Sequence, residues 1–186
     1  MTRGPAGDRG SCRGGDGRLL LDAMLGKLAT YLRMCGYDAA YALDRGVEDD
    51  DELLAVAREE GRLLLTRDRS LAERAAGERS ANRGGRGRRV ERDLDDAPGS
   101  VLLRGRDVID QLRELRDAGF GLELADPPRR CGRCNGRLDR LGDDDTRPEH
   151  APDDGPVWRC RDCGQHFWMG SHWDDVARRL DVVENG

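Results

Sequence analysis

The chain has 186 residues with a net charge of −5 at neutral pH, and 37% of its residues are charged while 4% are aromatic. This length predicts one compact domain with a small module attached, and no apolar run in the sequence approaches the roughly 20 residues that a transmembrane helix needs. The acidic balance disfavours a protein that coats nucleic acid by charge alone, but it is compatible with an enzyme that reaches phosphates through metal ions.

The first segment, residues 1–17, contains three arginines, and no apolar stretch follows them. A secretory signal would place an apolar stretch after its basic residues, so we expect a disordered tail instead. From this we expect a cytoplasmic protein, because the cytoplasm keeps cysteines reduced and the chain shows no export signal.

Short apolar segments alternate with helical patterns from residue 18 to residue 126. In the first helical pattern, apolar residues recur at three- and four-residue spacing from Leu25 to Cys35, which marks one buried face. The alternation predicts an α/β fold with a parallel sheet and helices on both faces. No Gly-rich loop follows the first strand, which disfavours the nucleotide-binding versions of this architecture. The predicted strands are 18–22, 37–43, 62–66, 101–103 and 121–124, and the predicted helices are 23–36, 49–61, 70–76 and 107–118.

Two changes of composition divide the chain. Residues 77–99 are rich in Arg, Gly and Asp and contain almost no core-forming residues, which predicts a flexible insert within the domain 18–126. Pro127 and Pro128 then mark the boundary to a second module, residues 127–186, which ends in a predicted helix.

Two Cys-x-x-Cys pairs, Cys131 with Cys134 and Cys160 with Cys163, lie in the second module. Zinc in structural sites prefers four tetrahedral ligands, and thiolates suit it. Glycines close to the second cysteine of each pair favour tight turns in which backbone amides face the sulfurs. An interpretation as redox dithiols or disulfides lacks the βαβ context that such pairs require. The sequence therefore predicts one structural zinc ion held by all four cysteines.

All three tryptophans and one of the two phenylalanines of the chain also lie in this second module, and they are Trp158, Phe167, Trp168 and Trp173. One interpretation is that they form the small core of the zinc module and dock the final helix. The other is that some of them are exposed and stack on unpaired nucleobases. The sequence leaves both interpretations open.

A set of acidic residues occupies the ends of the predicted elements. Asp22 ends the first strand, Asp68 follows the strand 62–66, and Asp50 or Asp51 opens the helix between them. The carboxyl ends of parallel strands share one edge of a sheet, and Mg²⁺ or Mn²⁺ binds carboxylate oxygens. These acids are therefore candidate ligands of a divalent metal, and Asp107, which opens a later helix, is a further candidate. Alternatively they are helix caps or solvated charges, because Asp is abundant here and is a common cap.

Three acid-containing segments, Leu21–Ala29, Asp50–Leu54 and Leu64–Asp68, resemble those of PIN-like nucleases. More narrowly, the chain is similar to the Mut-seven C-terminal RNase-domain family, whose Trp-x-Gly-x-His-Trp signature corresponds here to Trp168–Trp173. That resemblance implies a PIN-like core followed by a zinc ribbon. It also implies a metal-dependent ribonuclease activity with RNA as the partner.

The resemblance also implies roles for individual positions. Lys27 and Arg67 match positions that contact substrate phosphate, and Asp51 is an alternative to Asp50 as the middle acid. The arginines at 79–92 depart from the family pattern and form either a basic RNA-contacting arm or a disordered insertion. The implied catalytic acids, which hold Mg²⁺ or Mn²⁺, are Asp22, Asp50 and Asp68.

Two non-enzymatic functions remain open on the sequence. The first is an RNA- or ribosome-binding adaptor in which the core is only a scaffold. The second is a protein-interaction module whose zinc ribbon recruits a larger assembly.

Overall fold

The structure of the protein is a computed structural model that describes residues 17–81 and 99–185. The predicted tail therefore lies outside the described residues, apart from Gly17. So does most of the predicted insert at 77–99, including the side chains of its arginines at 79–92.

Four parallel strands form the main sheet, in the order β2-β1-β3-β4. Leu20 in the central part of the sheet pairs with Ala40 of β2 on one side and with Leu64 of β3 on the other. Because every strand runs in the same direction, the carboxyl ends of all four lie along one edge of the sheet. The strands are β1, Arg18–Leu21; β2, Asp38–Tyr41; β3, Leu63–Thr66; and β4, Ser100–Leu102.

Five α-helices of the described residues cover both faces of this sheet. Alternate residues of β1 point to opposite faces, so that Leu19 and Leu21 join one core with α1, α4 and α5, while Leu20 joins the other with α2 and α3. The predicted α/β fold with helices on both faces of a parallel sheet is thus confirmed. The helices are α1, Gly26–Met34; α2, Asp50–Glu59; α3, Arg69–Ala81; α4, Val108–Asp117; and α5, Ser171–Asn185.

Two predicted elements differ from the structure. The segment Gly121–Leu124 is not a strand, although Leu122 is fully buried in the core shared with α1. The backbone around this segment forms hydrogen bonds with residues at the end of α1 and just after it, not with a strand. Tyr37 Oη donates to the Gly121 carbonyl, and the Ala125 amide donates to the Met34 carbonyl. The helix predicted to end at residue 76 continues to Ala81, into the segment predicted as an insert.

The second module is a small antiparallel sheet in the order β5-β6-β7. Its strands are β5, Leu138–Arg140; β6, Val157–Cys160; and β7, His166–Trp168. The first cysteine turn, Cys131–Cys134, precedes β5, and the second, Cys160–Cys163, connects β6 to β7. None of the helices in the described residues is long and apolar enough to cross a membrane.

A buried arginine joins the two modules. Arg33 of α1 is 3% exposed, and its guanidinium donates to the carbonyls of Ala39, Gly132 and Arg133 at 2.8 to 3.2 Å. The Asn135 side chain accepts a hydrogen bond from the Ala39 amide at 3.0 Å. β2 is an edge strand, so these bonds cover an edge that would otherwise expose unpaired backbone groups.

Candidate functional site

Asp22 and Asp68 lie on either side of Thr66 at the carboxyl edge of the sheet. The Thr66 hydroxyl donates to Asp22 Oδ2 at 2.7 Å, and the backbone amide of Asp68 donates to the same hydroxyl oxygen at 2.9 Å. Thr66 is fully buried at the end of β3, which is the neighbour of β1. The pairing of these two strands therefore brings the first and third predicted acids together.

Each of these two acids keeps one carboxylate oxygen that forms no hydrogen bond or ion pair with the described residues. Asp68 Oδ1 accepts from the Leu71 amide at 2.9 Å, so Asp68 also caps the first turn of α3. Capping and metal binding are compatible here because they use different oxygens of one carboxylate. Oδ1 of Asp22 and Oδ2 of Asp68 remain for a ligand.

The middle acid is placed differently. Asp49 is the cap of α2, accepting from the amides of Asp51 and Glu52, and it leaves Asp50 and Asp51 on the first turn. Both of these side chains pair with Arg74 of α3, and the closest contact of Asp50 is 3.6 Å. The side chain of Asp50 is 56% exposed and that of Asp51 is 83% exposed.

The predicted acids do not form a compact ligand cluster in this structure. In the described parts of the chain, only the four cysteines gather at least three candidate ligand atoms within 4.8 Å of one another. The structure therefore brings Asp22 and Asp68 to one point through Thr66, whereas it holds Asp50 by an ion pair to a neighbouring helix. Asp107 is the cap of α4 and accepts from the Ile109 amide at 2.8 Å.

Five cations lie in the segments that follow the carboxyl ends of β1, β3 and β4. Lys27 is exposed on the first turn of α1, and Arg67 follows β3 directly, with a buried Nε that has no hydrogen-bond partner in the described structure. The sequence analysis did not single out three further cations of this kind, although each of them follows the end of a strand. None of the five side chains forms an ion pair with a described residue, and the three that were missed are Arg69, Arg104 and Arg106.

The opposite edge of the sheet has a different charge arrangement. The buried guanidinium of Arg62 donates to Asp38 at 2.9 Å and to Glu60 at 2.5 Å. Burial raises the pKa of Asp38, but hydrogen bonds from Arg62 and Asn135 outweigh it and hold that pKa below its ordinary value. Arg62 at this amino edge is engaged in ion pairs, whereas Lys27, Arg67, Arg69, Arg104 and Arg106 form none with a described residue.

The sulfur atoms of the cysteine cluster are spaced as a tetrahedral metal site requires. Cys131 Sγ lies 3.7 Å from Cys163 Sγ, and Cys134 Sγ lies 3.5 Å from Cys160 Sγ. A tetrahedron with Zn–S bonds of about 2.3 Å has sulfur-to-sulfur distances of about 3.8 Å. These distances are far longer than the ~2.05 Å of a disulfide bond, so all four cysteines are free. The cluster can therefore hold a structural metal such as zinc.

A backbone amide favours the thiolate form of Cys163, whereas burial outweighs such bonds at Cys131 and Cys134 and raises the pKa of both. A backbone hydrogen bond from Gln165 is the main cause that lowers the pKa of Cys163 to about 7. Gly136 allows the close approach of the two turns, because a Cβ at this position would lie 2.7 Å from Cys160 Sγ. Gly136 therefore permits a tight turn after the second cysteine of its pair, as the sequence predicted.

The aromatic residues of the second module divide into two groups. Trp158 is 4% exposed and belongs to the core of the module. Phe167, Trp168 and Trp173 are half-buried and line a cavity of about 540 Å³ between this module and α1. One of the four therefore has the structural role, and three face a space that a ligand can enter.

Comparison with known protein families gives a match that covers most of the chain. A family model described as Mut7-C RNAse domain matches residues 17–180. Comparisons with curated proteins and with solved structures give no match. The matched range includes both the parallel sheet and the cysteine cluster, so it treats the two modules as one unit.

Proposed function

The chain belongs to the Mut7-C RNAse domain family, and we propose that it is a metal-dependent ribonuclease that hydrolyses phosphodiester bonds of single-stranded RNA. The observation that carries the proposal is the pair of acids joined by Thr66, because each has a carboxylate oxygen left over at the carboxyl edge of a parallel sheet. In this proposal the α/β core is a PIN-like nuclease core.

Mg²⁺ or Mn²⁺ is the cofactor we propose for this edge. Such ions use one or two protein carboxylates and complete their coordination with water and substrate phosphates, which suits Asp22 and Asp68. Asp50 is the proposed third acid, and it reaches the site by exchanging its ion pair with Arg74 for the metal. When bound, the metal activates a water molecule and stabilises the charge that develops on the phosphodiester.

The protein's own residues bind and orient the substrate. Thr66 fixes the direction of the Asp22 carboxylate through its hydrogen bond. Lys27 and Arg67 bind RNA phosphates beside the acids, and the other unpaired cations of this edge extend the basic surface. An acidic chain can in this way bind RNA locally, because Lys27, Arg67, Arg69, Arg104 and Arg106 form no ion pair with a described residue.

The cysteine cluster has a supporting role in this proposal. We assign it a structural zinc ion, with Cys131, Cys134, Cys160 and Cys163 as ligands and no part in the chemistry. We propose that the zinc module assists substrate binding, since it is fixed through Arg33 to α1, the helix that carries Lys27 on its first turn.

The decisive experiment replaces Asp22 or Asp68 with Asn and measures cleavage of a labelled single-stranded RNA in the presence of Mn²⁺. Each variant should lose cleavage while its circular dichroism spectrum and melting temperature stay close to those of the parent. Asp117→Asn is the matched control, because this exposed acid ends α4, away from the linked acids, and should cleave normally. Cleavage by both site variants at the parental rate would show that the assignment is wrong.

One observation favours a second candidate function, a non-catalytic RNA- or ribosome-binding adaptor. The three acids are not assembled, since Asp50 is held by Arg74. Binding of RNA without added Mg²⁺ or Mn²⁺, together with no cleavage under any metal condition, would favour the adaptor. A stable protein partner that co-purifies in the absence of RNA would instead favour a protein-interaction module.

A further inference from the structure

The cavity of about 540 Å³ lies where the zinc module meets the nuclease core. Thr30 and Met34 of α1 form one wall, and Phe167, Trp168 and Trp173 provide the aromatic surface. Its volume is within the range of about 300 to 1,000 Å³ that is typical of small-molecule sites. The cavity is therefore large enough for a nucleobase with its sugar.

Its aromatic residues are available for stacking. Unlike Trp158, they are half-buried and not sealed in a core. Trp168 lies against Gly170, where an added Cβ would come within 3.2 Å of its Cδ1 atom. The glycine thus lets the chain pass close to the indole ring, which limits the movement of Trp168 at the cavity wall. Aromatic faces held in this way are typical platforms for unpaired bases.

Two arginines line the same cavity, and one of them, Arg133, adds a positive charge that no described acid balances. Arg130 is fixed, with an ion pair to Asp38 at 3.2 Å and a hydrogen bond to the Asn135 carbonyl. The Arg133 guanidinium is exposed and has no partner in the described residues. A ligand that combines a flat aromatic ring with a negative charge would match this lining, and a nucleotide has both features.

Helix α1 connects the cavity to the acidic edge. Lys27, Thr30 and Met34 lie three and four residues apart and therefore share one face of the helix. At 1.5 Å per residue, Thr30 is about 5 Å and Met34 about 10 Å farther along the helix axis than Lys27. One short stretch of extended polynucleotide can span that distance.

From these features we propose that the cavity binds one unpaired nucleotide of the RNA strand, with its base stacked on Trp168 and Trp173 and its phosphate beside Arg133. The inference rests on the proposed function, since the strand is the one whose phosphodiester lies at Asp22 and Asp68. It assigns to the zinc module a defined subsite and makes α1 the connection between this subsite and the site of cleavage.

The test uses the full chain carrying both Asp22→Asn and Asp68→Asn, so that binding is measured without cleavage. A short single-stranded oligoribonucleotide should quench the tryptophan fluorescence of this protein. Trp168→Ala and Trp173→Ala should each weaken binding of the oligonucleotide by between about fivefold and a hundredfold. Met169→Ala is the matched control, because Met169 is exposed beside Trp168 and does not line the cavity, and it should bind normally.

Arg133→Glu gives a second test that does not disturb the packing of the module, since its side chain is exposed. It should weaken oligonucleotide binding even if a tryptophan variant fails to fold. A duplex of the same sequence and a free mononucleotide are the comparison ligands, and both should bind more weakly than the single strand. Equal affinity of parent, tryptophan and Arg133 variants for the single strand would overturn the proposal, as would tighter binding of the duplex or the mononucleotide. Absence of cleavage by the parent chain under every metal condition, with these binding effects retained, would overturn the proposed activity alone.

Discussion

Thr66 donates its hydroxyl hydrogen to Asp22 across the boundary between β3 and β1, over a distance of 2.7 Å. The same oxygen accepts the amide hydrogen of Asp68, so one buried side chain fixes the positions of two acids that are far apart in sequence. Carboxylates that bind metals are commonly oriented by such partners, which determine how well the free oxygen meets the ion.

Thr66→Val should therefore lower RNA cleavage by about tenfold to a hundredfold and raise the Mn²⁺ concentration that is needed for half of the maximal rate. Valine keeps the shape of the side chain but cannot donate to Asp22, and Thr66→Ser should restore most of the activity because it keeps the hydroxyl. The measurement is the cleavage rate as a function of Mn²⁺ concentration. A Val variant with the parental metal dependence would show that Thr66 is only a packing residue.

The second prediction separates the two adjacent acids of α2. Asp50→Asn should lower cleavage by about a hundredfold if this residue joins the metal, whereas Asp51→Asn should leave the rate near that of the parent. The structure favours Asp50 over Asp51 as the metal ligand, because the Asp51 side chain is the more exposed of the two and makes the closer ion pair with Arg74. Arg74→Gln should lower the Mn²⁺ requirement, since it releases Asp50 from its competing partner. Equal loss in the Asp50 and Asp51 variants would contradict the assignment.

The fold could be predicted largely because its signals are local. Leu19, Leu20 and Leu21 form a continuous apolar run, which is expected of a strand covered on both faces. The four cysteines were equally predictable, because their spacing alone specifies two metal-binding turns. The strand predicted around Leu122 is wrong. An apolar residue can be buried equally well in a strand or in an irregular segment packed against helices, and only the backbone hydrogen bonds distinguish these two structures.

The site was less predictable because its geometry depends on contacts between distant segments. The run of three acids at 49–51 gave no indication that Asp49 caps α2 while the other two pair with Arg74. Likewise, nothing around Arg33 signals that it reaches the carbonyls of Gly132 and Arg133, about 100 residues later in the chain. Long-range hydrogen bonds of this kind leave no periodic trace in a sequence.

The third prediction concerns the free cations of the carboxyl edge. Replacing Lys27, Arg104 or Arg106 with Gln in the protein that carries Asp22→Asn and Asp68→Asn should weaken RNA binding at low salt. For single strands, each lost phosphate contact should reduce the slope of log K against log salt concentration by about 0.7. Arg178→Gln is the control, because Arg178 is paired with Asp175 on α5. An unchanged slope in all three site variants would show that RNA does not follow this edge.

The fourth prediction is the pH dependence of stability that arises from Glu60. A hydrogen bond from Arg45, with a further one from Arg62, lowers the pKa of Glu60 from 4.5 to about 2 against the opposing effect of burial. A carboxyl group with a lowered pKa in the folded state stabilises the protein above its unfolded pKa and loses that effect as pH falls through the folded value. The free energy of unfolding of the parent should therefore decrease from about pH 4.5 to about pH 2.

Glu60→Gln should be less stable than the parent at neutral pH, and the difference should shrink over the same acidic range. Urea denaturation at a series of pH values measures both curves. Glu149→Gln is the matched control, because Glu149 is exposed and forms no ion pair in the described residues, and its curve should run parallel to that of the parent. If the difference in unfolding free energy between the Glu60 variant and the parent stays constant with pH, the ion pairs of Glu60 do not contribute to stability in the predicted way.

The last prediction concerns metal loss from the cysteine cluster. The first cysteine turn holds the Gly132 and Arg133 carbonyls against Arg33, and the adjacent Asn135 accepts from the Ala39 amide of the edge strand. If the metal fixes this turn, its removal should loosen β2 as well as the zinc module. Chelation of zinc should therefore lower the melting temperature and speed hydrogen exchange of the Ala39 amide.

The amide of Leu64 provides the internal control for that measurement. It donates to the Gly99 carbonyl at 2.9 Å on the side of the sheet away from β2, the strand whose edge the zinc module covers. Its exchange should change little as long as the core stays folded. Equal acceleration at Leu64 and Ala39 would indicate global unfolding, and unchanged exchange at Ala39 would show that the edge of the sheet does not depend on the metal. Faster exchange at Ala39 alone would show that the zinc module stabilises the sheet edge that it covers. The contacts of Arg33 and Asn135 that join the module to this edge also hold the aromatic cavity beside α1.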